Sequence, residues 1–230
     1  MKGDFVLNCT VYKLGLVEYS NTYRLQKNLH RKRAEEKISD SLLLLEHPPT
    51  FTIGKFGSFD NLLVSINRLR QEGIGLFLVE RGGDVTYHGP GQLVAYPIIC
   101  MKKRGKDVHQ YVYNLEEVVL RVLKDFGINA DRDNSHAGLW VNKEQIAAIG
   151  ISVRRWVAMH GFALNVDINL NHFSLINFCG FSDRIASTEV RRARASPRRA
   201  IAPYQFIAHF SDVFNTVIRL GAAKEIAQYI

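Results

Sequence analysis

One glycine-rich segment combines turn-forming residues with side chains that can hydrogen-bond a ligand. Four glycines and one proline lie within the eleven residues 81–91, between two stretches of strand-forming residues. Glycine lets the backbone turn sharply or lie directly against a bound molecule. A hairpin with a glycine-rich turn is the simpler interpretation, but this glycine density favours a ligand site. The polar side chains interleaved with these glycines are Arg81, Thr86, Tyr87, His88 and Gln92.

The second feature that could carry chemistry is Cys179, which lies in a loop-like stretch and is followed by a glycine. A nucleophilic cysteine needs a group that favours its thiolate. The candidates for that group are His88, His160, Lys143 and the arginines. Cys9 and Cys100 lie among strand-like apolar residues, so we expect them to be small buried side chains. The sequence therefore predicts covalent chemistry at one cysteine.

The elements that position these residues are read from hydrophobic periodicity and from turn residues. Strands are predicted at residues 5–15, 40–45, 50–54, 74–79, 93–100 and 159–166. Helices are predicted at residues 18–37, 61–72, 108–126 and 203–220, and a hairpin at residues 138–151 with its turn at 142–144. Strands come in runs with helices scattered between them, which is typical of an α+β fold. We expect a mixed, mostly antiparallel sheet flanked by helices, in a single domain over residues 1–230.

The composition restricts the partners and the compartment. The formal charge of +8 and the pI of about 9.5 favour acidic partners. Nucleic acid and an acidic carrier protein both fit that charge. Three cysteines without metal-ligand spacing indicate a reduced compartment. No apolar run approaches the roughly 20 residues of a membrane span, so a cytoplasmic protein is expected.

The arginine-rich run at 191–199 lacks interleaved aromatic residues for base stacking, and a solvated loop or a docking surface explains it equally well.

Several segments together resemble the lipoyl(octanoyl) transferase family. The family's Arg-Gly-Gly-x-x-Thr-Tyr-His-Gly-Pro-Gly-Gln-Leu motif matches residues 81–93 throughout, and this motif is highly specific. The shorter matching segments are residues 47–54, 147–150, 160–165 and 177–180. The resemblance covers roughly residues 5–185. It implies an α+β fold shared with biotin and lipoate protein ligases.

The resemblance also implies a reaction and its partners. An octanoyl group would pass from octanoyl-acyl carrier protein to a lysine of an apo lipoyl domain, the first step of protein lipoylation. The implied acceptors are the lipoyl domains of 2-oxoacid dehydrogenases and the H protein of glycine cleavage. No cofactor, ATP, metal, nucleic acid or membrane is implied, and we expect a monomer. The family cysteine falls on Cys179, which would carry the acyl group as a thioester.

The family's substrate-contacting stretches fall on three segments of this chain. They comprise Arg81, Gly82, Gly83, Asp84, Val85, Thr86, Tyr87 and His88, then Ala148, Ile149 and Gly150, then Gly161, Phe162 and Ala163. One position departs from the family pattern: the family has a lysine directly before the Ile-Ala-Ala-Ile-Gly strand, and this chain has Gln145. A glutamine can neither carry a charge nor act as a base. Lys143, two residues earlier, is the candidate substitute catalytic residue, although its place at the predicted turn favours a solvated lysine. His88 and His160 are the alternatives.

Three further hypotheses remain open from the sequence. A catalytically impaired relative that binds acyl groups or carrier protein would follow if Gln145 disables the reaction. An ATP-dependent lipoate or biotin ligase has the same expected fold, but it would need neither the His-Gly-Pro-Gly-Gln motif nor the Cys179 loop. A nucleic-acid-binding protein would rest on the positive charge alone.

Overall fold

The computed structural model describes residues 7–133, 136–177, 185–186 and 203–229. Its strands are β1 (Leu7–Leu16), β2 (Asp40–Glu46), β3 (Thr50–Ile53), β4 (Gly75–Leu78), β5 (Val85–His88), β6 (Gln92–Ile98), β7 (Asp131–Asp133), β8 (His136–Val141), β9 (Glu144–Arg154), β10 (Val157–Asn165), β11 (Ile185–Ala186) and β12 (Thr216–Leu220). Its helices are α1 (Tyr19–Ala34), α2 (Ile66–Gln71), α3 (Val108–Asp125), α4 (Pro203–Val213) and α5 (Ala223–Ala227). No helix within these ranges is long and apolar enough to cross a membrane.

Within the described residues the strands form two sheets. The larger sheet has nine strands in the order β12-β1-β2-β6-β10-β9-β8-β7, and β11 also pairs with β9. Its pairings from β2 through to β7 are antiparallel, whereas β1 pairs in parallel with β2 and β12, and β11 in parallel with β9. The α+β fold with a mixed, mostly antiparallel sheet is therefore confirmed.

Strand β2 shows why the sheet needs cover on both faces. Leu42 and Leu44 pack in the core beneath α3 and α4, while Leu43 and Leu45 pack on the other face with residues of α1. A strand that is buried on both faces has a continuous apolar run rather than an alternating one. The four consecutive leucines are thus explained by helices lying on both sides of one sheet.

The smaller sheet has the order β4-β3-β5 and holds the first half of the glycine-rich segment. Strand β5 pairs antiparallel with β3, whereas β6, which begins at Gln92, belongs to the larger sheet. The hairpin interpretation of this segment is therefore wrong. The turn between His88 and Gln92 carries the chain from one sheet to the other.

Two of the expected helices are shorter than predicted. The helix expected at 61–72 covers only α2, because Leu62 is extended and bridges Ile176. Ser65 then caps α2 by accepting a hydrogen bond from the amide of Arg68. The helix expected at 203–220 ends at Val213, and β12 follows it at the edge of the larger sheet. The β-branched residues of β12 favour a strand, and the edge of β1 supplies its partner.

The hairpin expected at 138–151 is confirmed as β8 and β9, which pair antiparallel. Asn142 occupies its turn with a φ of 58°, a backbone conformation that asparagine tolerates better than most residues. Cys179 and the arginine-rich run at 191–199 lie outside the described residues.

Candidate active site

A cavity with an empty volume of about 550 Å³ lies where the smaller sheet meets β9 and β10. Its lining residues are Arg81, Gly82, Gly83, Asp84, Val85, Thr86, His88, Tyr96, Ala137, Gln145, Ala148, Ile149, Gly150, His160, Gly161, Phe162 and Ala163. The three segments with predicted substrate contacts are thus brought together, and Tyr87 alone among those residues is not in the lining. A concave site that is mostly apolar with a few polar groups is typical of a small-molecule site.

Tyr87 faces the opposite side of the smaller sheet. Its ring packs near Phe51 and Phe173, and its hydroxyl lies 2.6 Å from Nδ1 of His172. Neighbouring side chains on a strand point to opposite faces, so Tyr87 stabilises the sheet while Thr86 and His88 face the cavity. The motif that contains Tyr87 therefore serves both the core and the site.

The position of Gly161 permits the close packing of β10 against β6. A Cβ atom at residue 161 would lie 2.2 Å from the backbone oxygen of Ala95 and 2.6 Å from Cδ of Pro97. Both neighbours belong to β6 and cannot move away easily. Gly161 consequently lets the backbone of β10 form the cavity wall at a distance that no other residue allows.

Arg81 holds the glycine-rich loop to the smaller sheet. Its guanidinium donates through Nη2 to the backbone oxygen of Thr52 at 2.7 Å and to Oγ1 of Thr52 at 2.9 Å. The adjacent amide of Gly82 donates to the backbone oxygen of Ile151 in β9 at 2.9 Å. The loop thereby connects the two sheets across the cavity. Arg81 is buried, so its contacts with Thr52 also keep a cation hydrogen-bonded in a dry environment.

Asp84 ties the same wall to the chain that leads toward Cys179. Its carboxylate accepts hydrogen bonds from the amide of Val85 and from the side chain of Asn61. The backbone oxygen of Asn61 in turn accepts the amide of Asn177 at 2.8 Å. Asn177 is the last described residue before Cys179, and it is thus fixed to the cavity wall through two hydrogen bonds.

The hydrogen bonds around His88 determine its tautomer. Nε2 of Gln92 donates to the backbone oxygen of Tyr87 at 3.1 Å and to Oδ1 of Asn165 at 2.9 Å. The amide oxygen of Gln92 therefore faces Nδ1 of His88, at 2.8 Å, and Nδ1 must donate the proton. The imidazole of His88 is then neutral with Nε2 as a hydrogen-bond acceptor. Burial is the main cause that holds the pKa of His88 well below its usual value.

Two further buried histidines lie beside this network. His47 donates from Nδ1 to the backbone oxygen of Val17 at 2.7 Å, so its Nε2 accepts the hydroxyl of Tyr96 at 2.9 Å. Burial lowers the pKa of His47 to about 4 and that of His160 to about 3. The sequence offered no signal for the contact between His47 and Tyr96, because these residues are 49 positions apart. Of these side chains, His88, Tyr96 and His160 line the cavity, and all three are uncharged, which suits a neutral, apolar ligand.

These buried histidines should make the fold sensitive to acid. Because their pKa is lowered in the folded state, the unfolded chain binds more protons than the folded chain between pH 6.5 and pH 4. Their contribution to the free energy of unfolding is therefore fully present above pH 6.5 and is lost below it. His47 and His160 should each lower the free energy of unfolding by about 2 kcal/mol at pH 5 relative to pH 7. Thermal unfolding at pH 7, 6 and 5 should show Tm falling by about 8–16 °C.

A matched variant separates this effect from general acid denaturation. The amide of His47→Gln can make the same two hydrogen bonds without gaining a proton, so its Tm should fall less with pH. His109→Gln, at an exposed position on α3, should leave the profile unchanged. A Tm that stays constant between pH 7 and pH 5 in the wild type would contradict the prediction.

Lys143 and Gln145 differ in their exposure and in their distance from the cavity. Lys143 is exposed in the turn between β8 and β9 and is not part of the cavity lining. Gln145 is buried and lines the cavity. The backbone of Glu144 and Gln145 pairs with Ile185 and Ala186, the first described residues after Cys179.

Among the described residues, no group of three or more His, Cys, Asp or Glu side chains is arranged to hold a metal ion.

Comparison with known proteins identifies relatives of this chain. Residues 18–211 match the model of the lipoyl protein ligase A/B catalytic domain. An octanoyltransferase of Caldicellulosiruptor bescii is 54% identical over 214 residues, which cover 92% of this chain and 94% of the relative. The match covers most of both proteins, so the similarity is not confined to the glycine-rich motif.

Solved structures show the same fold at low sequence identity. A bipartite lipoate protein ligase from Thermoplasma acidophilum superposes with a TM-score of 0.67 at 15% identity, covering 97% of this chain and 91% of that one. A biotin protein ligase from Leishmania major gives a TM-score of 0.53 at 11% identity, with 89% and 72% covered. The expected likeness to biotin and lipoate ligases is therefore confirmed for the fold.

Proposed function

The chain belongs to the family of lipoyl protein ligase A/B catalytic domains, and from that premise we propose how it acts as an octanoyltransferase in protein lipoylation. The cavity between the two sheets binds the octanoyl chain of the donor. The observation that carries this assignment is the wall of the cavity along β9 and β10, where Ala148, Ile149, Gly150, Phe162 and Ala163 form an apolar path. The charged side chains of the lining are Arg81 and Asp84. Arg81 is already bound to Thr52, and the carboxylate of Asp84 accepts from Val85 and Asn61.

The length of this apolar path supports a linear acyl chain. Ala148 of β9 pairs with Ala163 of β10, and three residues farther along, Ile151 pairs with His160. Three residues of strand span about 10 Å. The side chains along this path are small or absent at Ala148, Gly150 and Gly161. We therefore place the acyl carbonyl at the Gln145 end and the methyl terminus near His160.

The proposed chemistry uses Cys179 as a nucleophile in two steps. Its thiolate bonds to the acyl carbon, and the carbon–sulfur bond to the carrier's thiol breaks, so that this thiol leaves and takes a proton. The neutral ε-amino group of the acceptor lysine then bonds to the same carbon, the bond to Cys179 breaks, and its sulfur leaves with the proton that the nitrogen loses. One thioester replaces another and an amide follows, so no external energy source is needed.

We propose Lys143 as the cation that favours the Cys179 thiolate. It precedes the two residues of β9 that pair with β11, the described segment that follows Cys179 in the chain. Nearby positive charge lowers the pKa of a cysteine. Lys143 is exposed at the turn, and its long side chain can extend along the strand toward the site.

The proposed partners are an octanoyl-acyl carrier protein and the lipoyl domains of 2-oxoacid dehydrogenases and the glycine cleavage H protein. Support comes from the charge of +8, because opposite charge speeds association with acidic partners. We also propose that the chain acts in the cytoplasm as a monomer with one domain. The described site segments lie within one pair of connected sheets, which supports the single-domain assignment.

The proposed function is tested by mixing the wild-type protein with octanoyl-acyl carrier protein and an apo lipoyl domain. Mass spectrometry should show octanoylation of one lysine without added ATP. In Lys143→Ala, acylation of the enzyme should be about 10-fold slower at pH 7 and closer to wild type at pH 9, where thiolate forms without help. Octanoate binding without any transfer would contradict the proposal and would favour the impaired relative. An equal defect of Lys143→Ala at both pH values would exclude the role of that lysine.

A further inference from the structure

The side chain of Gln145 contains a buried acceptor without a partner in the described part of the chain. The residue is 2% exposed, and its Oε1 atom makes no hydrogen bond to any described residue. Leaving such an atom unsatisfied costs about 1–3 kcal/mol. Because the side chain lines the cavity, a group that enters with the substrates can reach this atom.

The surrounding backbone is shaped to hold this side chain. Gly138 in β8 has a φ of 145°, a conformation that favours glycine. A Cβ atom at residue 138 would lie 2.7 Å from Nε2 of Gln145. The pairing of β8 with β9 also shifts register between Leu139 and Trp140, where Trp140 faces Gln145. A glycine and an irregular pairing thus provide the space that the amide occupies.

The backbone of Gln145 is connected to the histidine network described above. Nδ2 of Asn165 lies 3.4 Å from the backbone oxygen of Gln145, and Oδ1 of the same residue accepts from Gln92. Gln92 in turn orients His88. The backbone of Gln145 is therefore linked by hydrogen bonds to neighbouring strands and to the His88 network.

The chemistry of Oε1 selects its partner. An amide oxygen accepts hydrogen bonds and donates none, so it would repel the acyl carbonyl oxygen and attract an N–H group. In the proposed reaction, the group that brings N–H to the acyl carbon is the amine of the acceptor lysine. We propose that Oε1 of Gln145 accepts a hydrogen bond from this amine and positions it for attack on the acyl-enzyme. This inference rests on the proposed function.

A neutral acceptor has a consequence for the pH dependence. The amide cannot remove a proton, so it holds the amine in place while the amine itself must be deprotonated. The rate of transfer from acyl-enzyme to lysine should therefore rise with pH toward the lysine pKa of about 10.4. A carboxylate at the same position can accept both the hydrogen bond and the proton, so Gln145→Glu should reach its plateau at lower pH.

The experiment measures the two half-reactions separately, in single turnovers with octanoyl-acyl carrier protein and then with a purified apo lipoyl domain. Gln145→Met keeps the side-chain length but removes the acceptor. It should acylate within about threefold of wild type and transfer about 10- to 100-fold more slowly. Gln145→Glu should recover the transfer step. The matched control is Gln110→Met, at an exposed position on α3, which should change neither step.

The outcomes distinguish this inference from the function on which it rests. Wild-type protein that forms no acyl-enzyme would overturn the proposed function and the role of Gln145 together. Normal acylation with undiminished transfer in Gln145→Met would overturn the role of Gln145 alone. Equal loss in both half-reactions, without recovery in Gln145→Glu, would show that the residue only maintains the structure. A Tm for each variant shows whether folding contributes to any loss.

Discussion

Replacing Cys179 with serine is expected to lower octanoyl transfer by about 10³-fold or more and to abolish the acyl-enzyme. A serine hydroxyl is not ionised near neutral pH, and loss of a covalent nucleophile is among the largest effects of a single substitution. Intact-protein mass spectrometry after incubation with octanoyl-acyl carrier protein measures the adduct directly. In the wild type the adduct should be removed by hydroxylamine, which cleaves thioesters.

The other two cysteines provide the controls for this experiment. Cys9 and Cys100 are buried, and burial raises the pKa of the Cys9 thiol far above its usual value. A thiol of that kind is a poor nucleophile. Cys9→Ala and Cys100→Ala should therefore keep the octanoyl adduct. An adduct that persists in Cys179→Ser, or disappears in either control, would contradict the assignment of the nucleophile.

Replacing Gly161 with alanine should destabilise the protein by about 3 kcal/mol and remove most of its activity. The new methyl group would lie 2.2 Å from the backbone oxygen of Ala95, so β10 must move away from β6. Overpacking of this kind typically costs about 1–3 kcal/mol, and more when backbone has to shift. For a chain of this size, Tm should fall by about 6–12 °C in thermal unfolding.

Gly82 is the matched control for steric destabilisation. A Cβ atom at residue 82 would meet only the backbone oxygen of Ile151, at 3.7 Å, which is an ordinary contact. Gly82→Ala should therefore keep a Tm close to that of the wild type, although both glycines line the same cavity. Similar Tm values for Gly161→Ala and Gly82→Ala would show that the packing of β10 on β6 is looser than these distances indicate.

Much of the fold could be predicted from the sequence because the signals were local. The apolar stripe of α3, the leucine run of β2 and the turn at Asn142 each depend on residues close together in the chain. β12 was missed because its strand conformation depends on pairing with β1, about 200 residues away in sequence. The smaller sheet was missed for the same reason, since β5 turns away from β6 to pair with β3.

Some features of the candidate site could also be predicted from the sequence, whereas others depend on contacts between distant residues. The segments at residues 81–88, 148–150 and 161–163 were predicted as substrate contacts because a resemblance marked them, and they do meet in one cavity. The tautomer of His88 could not be predicted, because it depends on Gln92 and Asn165 being correctly oriented in space. The unsatisfied oxygen of Gln145 is likewise visible only when all its neighbours are known.

The cavity walls come from two sheets that share no strand, and this separation changes what the substrate contributes. An acyl chain lying between the sheets would touch apolar groups of both and belong to the hydrogen-bonding system of neither. In that position it is a temporary piece of hydrophobic core, supplied with the donor and withdrawn with the product. The space between the two sheets would thus be filled by the acyl chain and emptied again once in every catalytic cycle.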